Sequence, residues 1–403
     1  MGKTLRVGMV GGSLNSFMGE IHRQAIARSG CLELVCGAFG STRNSSYETG
    51  KQLGLPTRRV YGTYRDLFRR EAALSPEERI DFATVITPNA MHYPIAMSAI
   101  DAHFPIFCEK PFTCNMDEAL NLTRKQQASG IRYGIAMVLP CYPMFRKARS
   151  LIQEEQAIGV IRKVVVSCEM GWMAPRLEVN GNRQAGWRSD PRRSGQAGCV
   201  TDLGAHCFYA AEWLTGLTVS EICADTRPTV PGRILDDDCT ILLRFENGIR
   251  GVLLASQIET GSAGGITAKI IGSKGTLIWR QADPDRIRII GVDGSVGEIV
   301  SDAVETPRTV SPECPPTPFG NNEAYIQALT DAYIAFAEYL TAGKDAERHT
   351  ASFMSITEGL RSVAFVDAVL KNTAVPPPPQ DDTPPPPLPP KWMPLIIPAI
   401  PEF

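Results

Sequence analysis

Short apolar runs alternate with helical stretches through the first part of the chain. Leu5–Val10 reads as a strand, and Gly19–Ser29 reads as a helix. Leu32–Phe39 is apolar enough to be a strand buried on both faces. Phe82–Ile86, Pro105–Cys108 and Tyr133–Val138 read as further strands, with helices over His92–Asp101 and Asn115–Ala128. Strands and helices alternating at this length predict a parallel, doubly wound sheet.

The pattern changes after Pro143. A helix over Met144–Gln156 leads into a long β-rich run, Val160–Met170. A polar segment rich in Gly and Arg follows over Asn180–Gly198, then a helix over Leu203–Leu214. Strands then crowd together at Val219–Thr226, Cys239–Phe245, Ile249–Ser256, Ile266–Ile271 and Gly275–Trp279. Asn247-Gly248 is a tight-hairpin dipeptide, and consecutive strands with short turns predict an antiparallel sheet. Late helices over Asn322–Leu340 and His349–Leu370 close this part. The expected organisation is therefore a domain over 1–142, a second over 143–373, and a tail over 374–403. In that tail, Pro376–Pro379 and Pro384–Pro390 are nearly all proline and predict polyproline II. The apolar end, Trp392–Phe403, fits either an extended tail or an arm laid on the same or a neighbouring subunit.

Composition narrows the function. The chain has 403 residues, more than one hydrophobic core usually serves. A formal net charge of −2 offers no basic excess for nucleic acid or an anionic membrane. The apolar run at the N-terminus breaks at Gly11-Gly12, and no run reaches the ~18 apolar residues of a membrane span. The 11 cysteines include no C-x-x-C pair, and Cys36, Cys108 and Cys168 lie inside apolar runs. They read as reduced core residues of a cytoplasmic protein, with no metal site. Asp236-Asp237-Asp238 has no His or Glu near it in sequence and reads as a solvated turn rather than a metal cluster.

The first strand runs into Gly8-Met9-Val10-Gly11-Gly12-Ser13-Leu14-Asn15-Ser16-Phe17-Met18-Gly19. A dinucleotide site needs a sharp turn, a bare backbone beside the pyrophosphate, and a helix N-terminus aimed at it. Gly11 and Gly12 supply the turn, and Gly19 suits the start of the helix. Ser13 stands where a second glycine is usual, and the loop through Leu14 is about three residues longer than the common form. A generic strand-to-helix turn would look similar; the place at the start of a βαβ unit favours the cofactor. After the second strand comes Phe39-Gly40-Ser41-Thr42-Arg43, with no acid between Glu33 and Glu48. An acid there would hold the ribose 2′-hydroxyl of NAD. Ser41, Thr42 and Arg43 suit a 2′-phosphate instead, so the loop leans toward NADP, or use of both cofactors.

Four further segments carry chemistry: Thr87-Pro88-Asn89-x-x-His92, Glu109-Lys110-Pro111, Trp187-Arg188, and Asp202-x-x-x-His206. With the glycine turn they make residues 4 to 372 closely resemble the glucose-fructose oxidoreductase and inositol dehydrogenase (Gfo/Idh/MocA) family. The resemblance implies an N-terminal Rossmann domain and a C-terminal α/β domain with an open, mostly antiparallel sheet. It implies that Lys110, Asp202 and His206 form the catalytic set. It also puts Thr87, Pro88, Asn89 and His92 beside the nicotinamide ribose, and makes Trp187 and Arg188 a wall of the substrate pocket; Glu109 either helps bind the ribose or pairs with a neighbour. Dimers or tetramers are expected by the same analogy.

Each residue also has a chemical reading of its own. Oxidising an alcohol requires a base for the hydroxyl proton as hydride leaves the same carbon. Lys110 follows a buried strand, at the edge where doubly wound sheets bind ligands; an ordinary surface lysine is the alternative. Asp202 and His206, four apart, share one face of a helix; a capping aspartate and a structural histidine are the alternative. Arg188 can donate to sugar hydroxyls and Trp187 can stack on a sugar ring, or both belong to a basic loop with Arg183, Arg192 and Arg193. Tyr142 either enters the pocket or packs. His22, His103 and His349 are assigned no role. The expected activity is hydride transfer between NAD(P) and a hydroxyl-bearing carbon of a sugar, glycoside or cyclitol. A glycosidase using transient oxidation, and a non-catalytic NAD(P)-binding sensor, are the competing functions.

Overall fold

The computed structural model describes residues 4–262, 264–301, 322–342, 351–373 and 391–398. These form two compact units: one from 4–142, 323–342 and 351–360, the other from 143–262, 264–301, 322, 361–373 and 391–398.

The first unit is built on β1 (Leu5–Gly11), β2 (Leu32–Ala38), β3 (Phe82–Ile86), β4 (Ile106–Cys108) and β5 (Tyr133–Ile135). All pair in parallel, in the order β2-β1-β3-β4-β5. The chain leaves β1 outward to β2, then crosses back to β3. The carboxyl ends of β1 and β3 therefore flank the switch point, where open α/β sheets bind ligands. β3 is buried at all five positions, as its unbroken apolar run requires. The helix after β1 starts at Phe17, two residues before Gly19, because the Ser16 side chain accepts the Gly19 N–H as an N-cap. Two further helices are Arg43–Gln52, whose sequence shows no apolar stripe, and the short Tyr64–Ala72, which buries Leu67 and Phe68. They start at threonine N-caps, Thr42 and Thr63. The first buries only Ser46, Thr49 and Gly50.

The late helix Asn322–Thr341 departs from the expected division at residue 142. It belongs with the first unit, because its aromatic face completes that core. The Phe336 ring lies 5.3 Å from Phe82 and 5.1 Å from Phe107, and Tyr333 lies 4.8 Å from Phe107.

The second unit carries β6 (Ile161–Glu169), β7 (Val219–Arg227), β8 (Asp238–Phe245), β9 (Arg250–Ser256), β10 (Ile266–Gly272), β11 (Gly275–Arg280), β12 (Asp283–Gly291), β13 (Val296–Val300) and β14 (Met393–Pro394). Their order is β13-β12-β11-β10-β6-β9-β8-β7-β14, antiparallel except for β6 beside β9. Alternation buries Val164, Val166, Ile241, Leu243, Ala268, Ile270, Leu277 and Trp279. Phe145 from the helix Pro143–Gln153 packs 4.8 Å from Trp279, and Phe208 stacks 4.4 Å from Phe365. Gly248 takes φ +79° in the turn between β8 and β9. β12 and β13 are absent from the sequence reading because charged residues such as Arg286, Arg288 and Glu298 interrupt their apolar positions.

The proline runs at 376–379 and 384–390 lie outside the described residues. Beyond them the chain is an arm on its own sheet. Met393 pairs with Ile222, the Leu395 N–H donates to the Ser220 carbonyl at 2.7 Å, and Arg244 lies 3.9 Å over the Trp392 ring. No two of the ten described cysteines are joined in a disulfide. Among the described residues no helix is long and apolar enough to cross a membrane, and no side-chain group forms a metal site.

Phe336→Ala is expected to cost about 3–5 kcal/mol in urea unfolding. Hydrogen exchange is expected to quicken in β3 and β4 and to stay slow in β8 and β9. Exchange that quickens in β8 and β9 instead would contradict the placement of this helix.

Candidate functional site

In the first unit the site begins at the glycine turn. Gly11 has φ +85° and Gly12 φ +66°, and a Cβ on Gly11 would run into the Ile86 carbonyl. A Cβ on Gly19 would lie 2.6 Å from the Gly12 Cα, so Gly19 supplies the close helix-to-turn packing that a dinucleotide fold asks of its third glycine. Ser13 and Leu14 are partly exposed on the longer loop, whose Ser16 N–H donates to the Ser13 carbonyl at 2.8 Å. Behind the turn, Arg23 donates to the Gly12 carbonyl and pairs with Glu20 at 2.8 Å. Sequence reasoning passed over Arg23, a basic residue one helical turn from an acid.

At the end of β3, beside Gly11 in register, the Thr87 hydroxyl oxygen is buried without a hydrogen-bond partner among the described residues. Pro88 follows, and Asn89 is buried. A bare turn, a helix N-terminus and an orphaned hydroxyl fit the pyrophosphate and ribose of a dinucleotide. Ser41, Thr42 and Arg43 are exposed beyond β2, with Thr42 capping the next helix through the Ser45 N–H at 3.2 Å.

His92 and Glu109 are both buried, and Glu109 pairs with a neighbour, one of its two expected readings. The His92 ring is wholly buried, with Nδ1 2.8 Å from the Pro111 carbonyl and Nε2 3.0 Å from the Thr87 carbonyl. Burial lowers its pKa, and the two carbonyls oppose that shift. Glu109 receives His22 Nε2 on one oxygen at 2.8 Å and the Lys110 N–H on the other at 3.1 Å. Burial pushes the Glu109 carboxyl up. The His22 hydrogen bond, with the Lys110 charge nearby, outweighs it and holds the group below the usual carboxylate range. Through these bonds His92 and Glu109 tie together the loops around Lys110. Lys110 is partly exposed at the end of β4, and Tyr142 is buried at 2% exposure.

In the second unit the residues cluster around one helix start. Val200–Gly204 forms a π turn, and the α-helix Ala205–Thr215 continues from it. Asp202 thus sits in a wider turn than the plain α-helix implied by the four-residue spacing, a distortion that recurs at functional sites. Asp202 Oδ2 accepts Arg188 Nε at 3.2 Å and Gln257 Nε2 at 3.0 Å. Arg188 also donates to Gln184 Oε1 at 2.8 Å, and its guanidinium lies 4.3 Å from the Trp187 ring and 5.6 Å from that of Trp172. His206 is buried at 8% exposure. A small surface cleft beside this cluster is lined by Arg188, Arg233, Leu235, Asp236, Asp237 and Gln257. Gln257, Gln184 and Trp172 belong to no motif, so only the fold reveals them. Their one signal is position, since Gln257 directly follows β9.

The aspartate triplet is not a solvated turn. Asp236 accepts the Gly198 and Val200 N–H groups at 2.6 and 2.7 Å, and its carbonyl accepts that of Cys199 at 2.9 Å. Asp237 accepts the Thr229 N–H at 2.7 Å and pairs with Arg233 at 3.1 Å. Apolar periodicity carries no trace of such capping between distant segments. Burial raises the Asp236 pKa, and the Val200 and Gly198 amides oppose that shift. Asp236→Asn would turn one of its oxygens into a donor facing another donor. It is expected to lower unfolding stability by about 1–3 kcal/mol, read from the urea midpoint. An unchanged midpoint would show that Asp236 does not hold the helix start.

Residues 5–137 match the family described as "Oxidoreductase family, NAD-binding Rossmann fold", and residues 145–278 match the "GFO/IDH/MocA C-terminal domain". The chain is 28% identical to "Uncharacterized oxidoreductase YfiI" of Bacillus subtilis, over 71% of this chain and 72% of that one. It is 24% identical to "Levoglucosan dehydrogenase" of Pseudarthrobacter phenanthrenivorans, over 71% of this chain and 76% of that one. An inositol dehydrogenase homolog from Azotobacter vinelandii, solved in complex with NAD+, superimposes with a TM-score of 0.81 at 26% identity. That superposition covers 92% of this chain and 96% of the other. The two matched domains, in this order on this fold, place the chain in the Gfo/Idh/MocA family of NAD-binding oxidoreductases.

Proposed function

We propose that the chain moves a hydride between NAD(P) and a hydroxyl-bearing carbon of a neutral sugar, glycoside or cyclitol. In this reading Lys110, Asp202 and His206 are the reactive set. The observation that carries the substrate class is the Asp202–Arg188 ion pair. It offsets the charge of the Arg188 guanidinium, which lies against the Trp187 and Trp172 rings and beside the Gln257 and Gln184 amides, a wall of indole faces and amide groups. Such a wall suits an uncharged polyol, with rings stacking on C–H faces and amides meeting hydroxyls. A phosphorylated or acidic sugar would need a free cation there. Relatives named for levoglucosan and inositol lie on the same side of that choice.

The bound nicotinamide would supply the hydride acceptor or donor. The chain's own residues would do the rest. The Gly11-Gly12 turn and Thr87 would hold the dinucleotide. Lys110 would bind the reacting hydroxyl and His206 would take or return its proton. Asp202, held by Arg188 and Gln257, would orient the substrate or the imidazole. Ser41, Thr42 and Arg43 would receive a 2′-phosphate, which favours NADP.

Lys110→Ala or His206→Ala is expected to lower turnover by about 10²-fold or more while cofactor affinity, read by fluorescence titration, stays near wild type. Turnover like wild type in either variant would remove that residue from the mechanism. Arg43→Ala is expected to lower kcat/KM with NADP by about tenfold relative to NAD, the scale of one lost charge-assisted hydrogen bond. An unchanged ratio would show that this loop does not select the cofactor.

A further inference from the structure

We infer that His22 and Tyr333 are positioning residues that hold the peptide of Lys110 through the carboxylate of Glu109, an inference that rests on the proposed role of that lysine. The residues come from distant parts of the chain but from one unit: the helix after β1, the strands β3 and β4, and the late helix Asn322–Thr341. Thr84 Oγ1 lies 2.7 Å from the Tyr333 hydroxyl, which lies 2.6 Å from His22 Nδ1. His22 Nε2 lies 2.8 Å from Glu109 Oε1, and Glu109 Oε2 accepts the Lys110 N–H at 3.1 Å. His22, Thr84 and Tyr333 have no measurable exposure.

The donors in this chain can be assigned in one consistent direction. The Lys110 amide can only donate, so Glu109 accepts it. Glu109, as a carboxylate, also accepts the Nε2 proton of His22. Nδ1 then takes the Tyr333 hydroxyl proton, and the Tyr333 oxygen takes that of Thr84. Every group is satisfied and each fixes the next. Burying such a chain contributes little net stability compared with apolar packing of the same volume. What it does supply is orientation, at the residue directly before Pro111. His92 holds that proline's carbonyl from the other side at 2.8 Å. The backbone is thereby held at the peptides before and after the Lys110–Pro111 bond, and hydride transfer is sensitive to misplacement of this kind.

Two isosteric variants separate positioning from packing. A glutamine can place its amide nitrogen near the position of imidazole Nε2, where it donates to Glu109, and an asparagine can place its amide oxygen near that of Nδ1, where it accepts from the Tyr333 hydroxyl. His22→Gln therefore keeps the bond to Glu109, and His22→Asn keeps only the bond to Tyr333. The amide exchange of Lys110, followed by NMR on [15N]lysine-labelled protein, reads the grip directly and needs no substrate. His22→Asn is expected to speed that exchange by about tenfold or more and His22→Gln by less than about threefold. With a polyol that the wild type oxidises, kcat is expected to fall about tenfold or more in His22→Asn, with the cofactor KM within about twofold. Tyr333→Phe, which keeps the ring and drops the hydroxyl, is expected to speed Lys110 exchange by about threefold, and it stands in if His22→Asn does not fold. Equal effects of the Gln and Asn variants, or unchanged Lys110 exchange in His22→Asn and Tyr333→Phe, would overturn the inference. Wild-type turnover in Lys110→Ala would instead remove the lysine's role and leave the exchange result standing.

Discussion

A buried carboxylate must be satisfied, and both units meet that demand with backbone amides beside a proposed reactive residue. Glu109 accepts the Lys110 N–H in the first unit. Asp236 accepts the Gly198 and Val200 N–H groups at the start of the helix that carries Asp202 and His206. Both are nearly sealed from water, at 7% and 9% exposure. Leaving either unpaired would cost several kcal/mol by order of magnitude. The loops they hold are therefore tied to the cores beneath them, and the chemistry is set on rigid supports.

The same logic extends to the neighbouring side chains. His92 joins two loop carbonyls, Arg23 holds the carbonyl of the glycine turn, and Asp237 with Arg233 organises the segment before β8. These residues shape the binding surfaces from behind. Arg188 differs, because its ion pair with Asp202 shares a cluster with two indole rings and an amide. In the proposed reading, that flat-faced cluster is the feature that would select an uncharged polyol over a charged one.

Much of the fold could be read from the chain. β1 to β5 announce themselves as continuous apolar runs, and β6 to β11 as runs or alternation. Charged residues hide β12 and β13, and a nearly all-polar helix such as Arg43–Gln52 has no stripe to betray it. The late helix was legible as a helix, but its unit was not, because only the aromatic packing of Tyr333 and Phe336 on β3 and β4 decides that. At the site, motifs pointed to Gly11, Gly12, Lys110, Asp202, His206 and Arg188. They could not show His22, Gln257, Trp172 or Asp236, whose partners lie up to 311 residues away. A π turn likewise leaves no periodic signature over five residues.

The central claim is net hydride transfer from a neutral polyol. Its most direct test is to mix the purified chain with NAD+ or NADP+ and a panel of inositols, anhydrosugars, free sugars and glycosides, some deuterated at the carbinol carbon. Absorbance of the reduced nicotinamide reports the reaction, and mass spectrometry follows the label. The account predicts stoichiometric cofactor reduction with at least one neutral polyol, and deuterium recovered on the nicotinamide ring. Cofactor binding without reduction by any of them, or aglycone release with no net reduction, would contradict it.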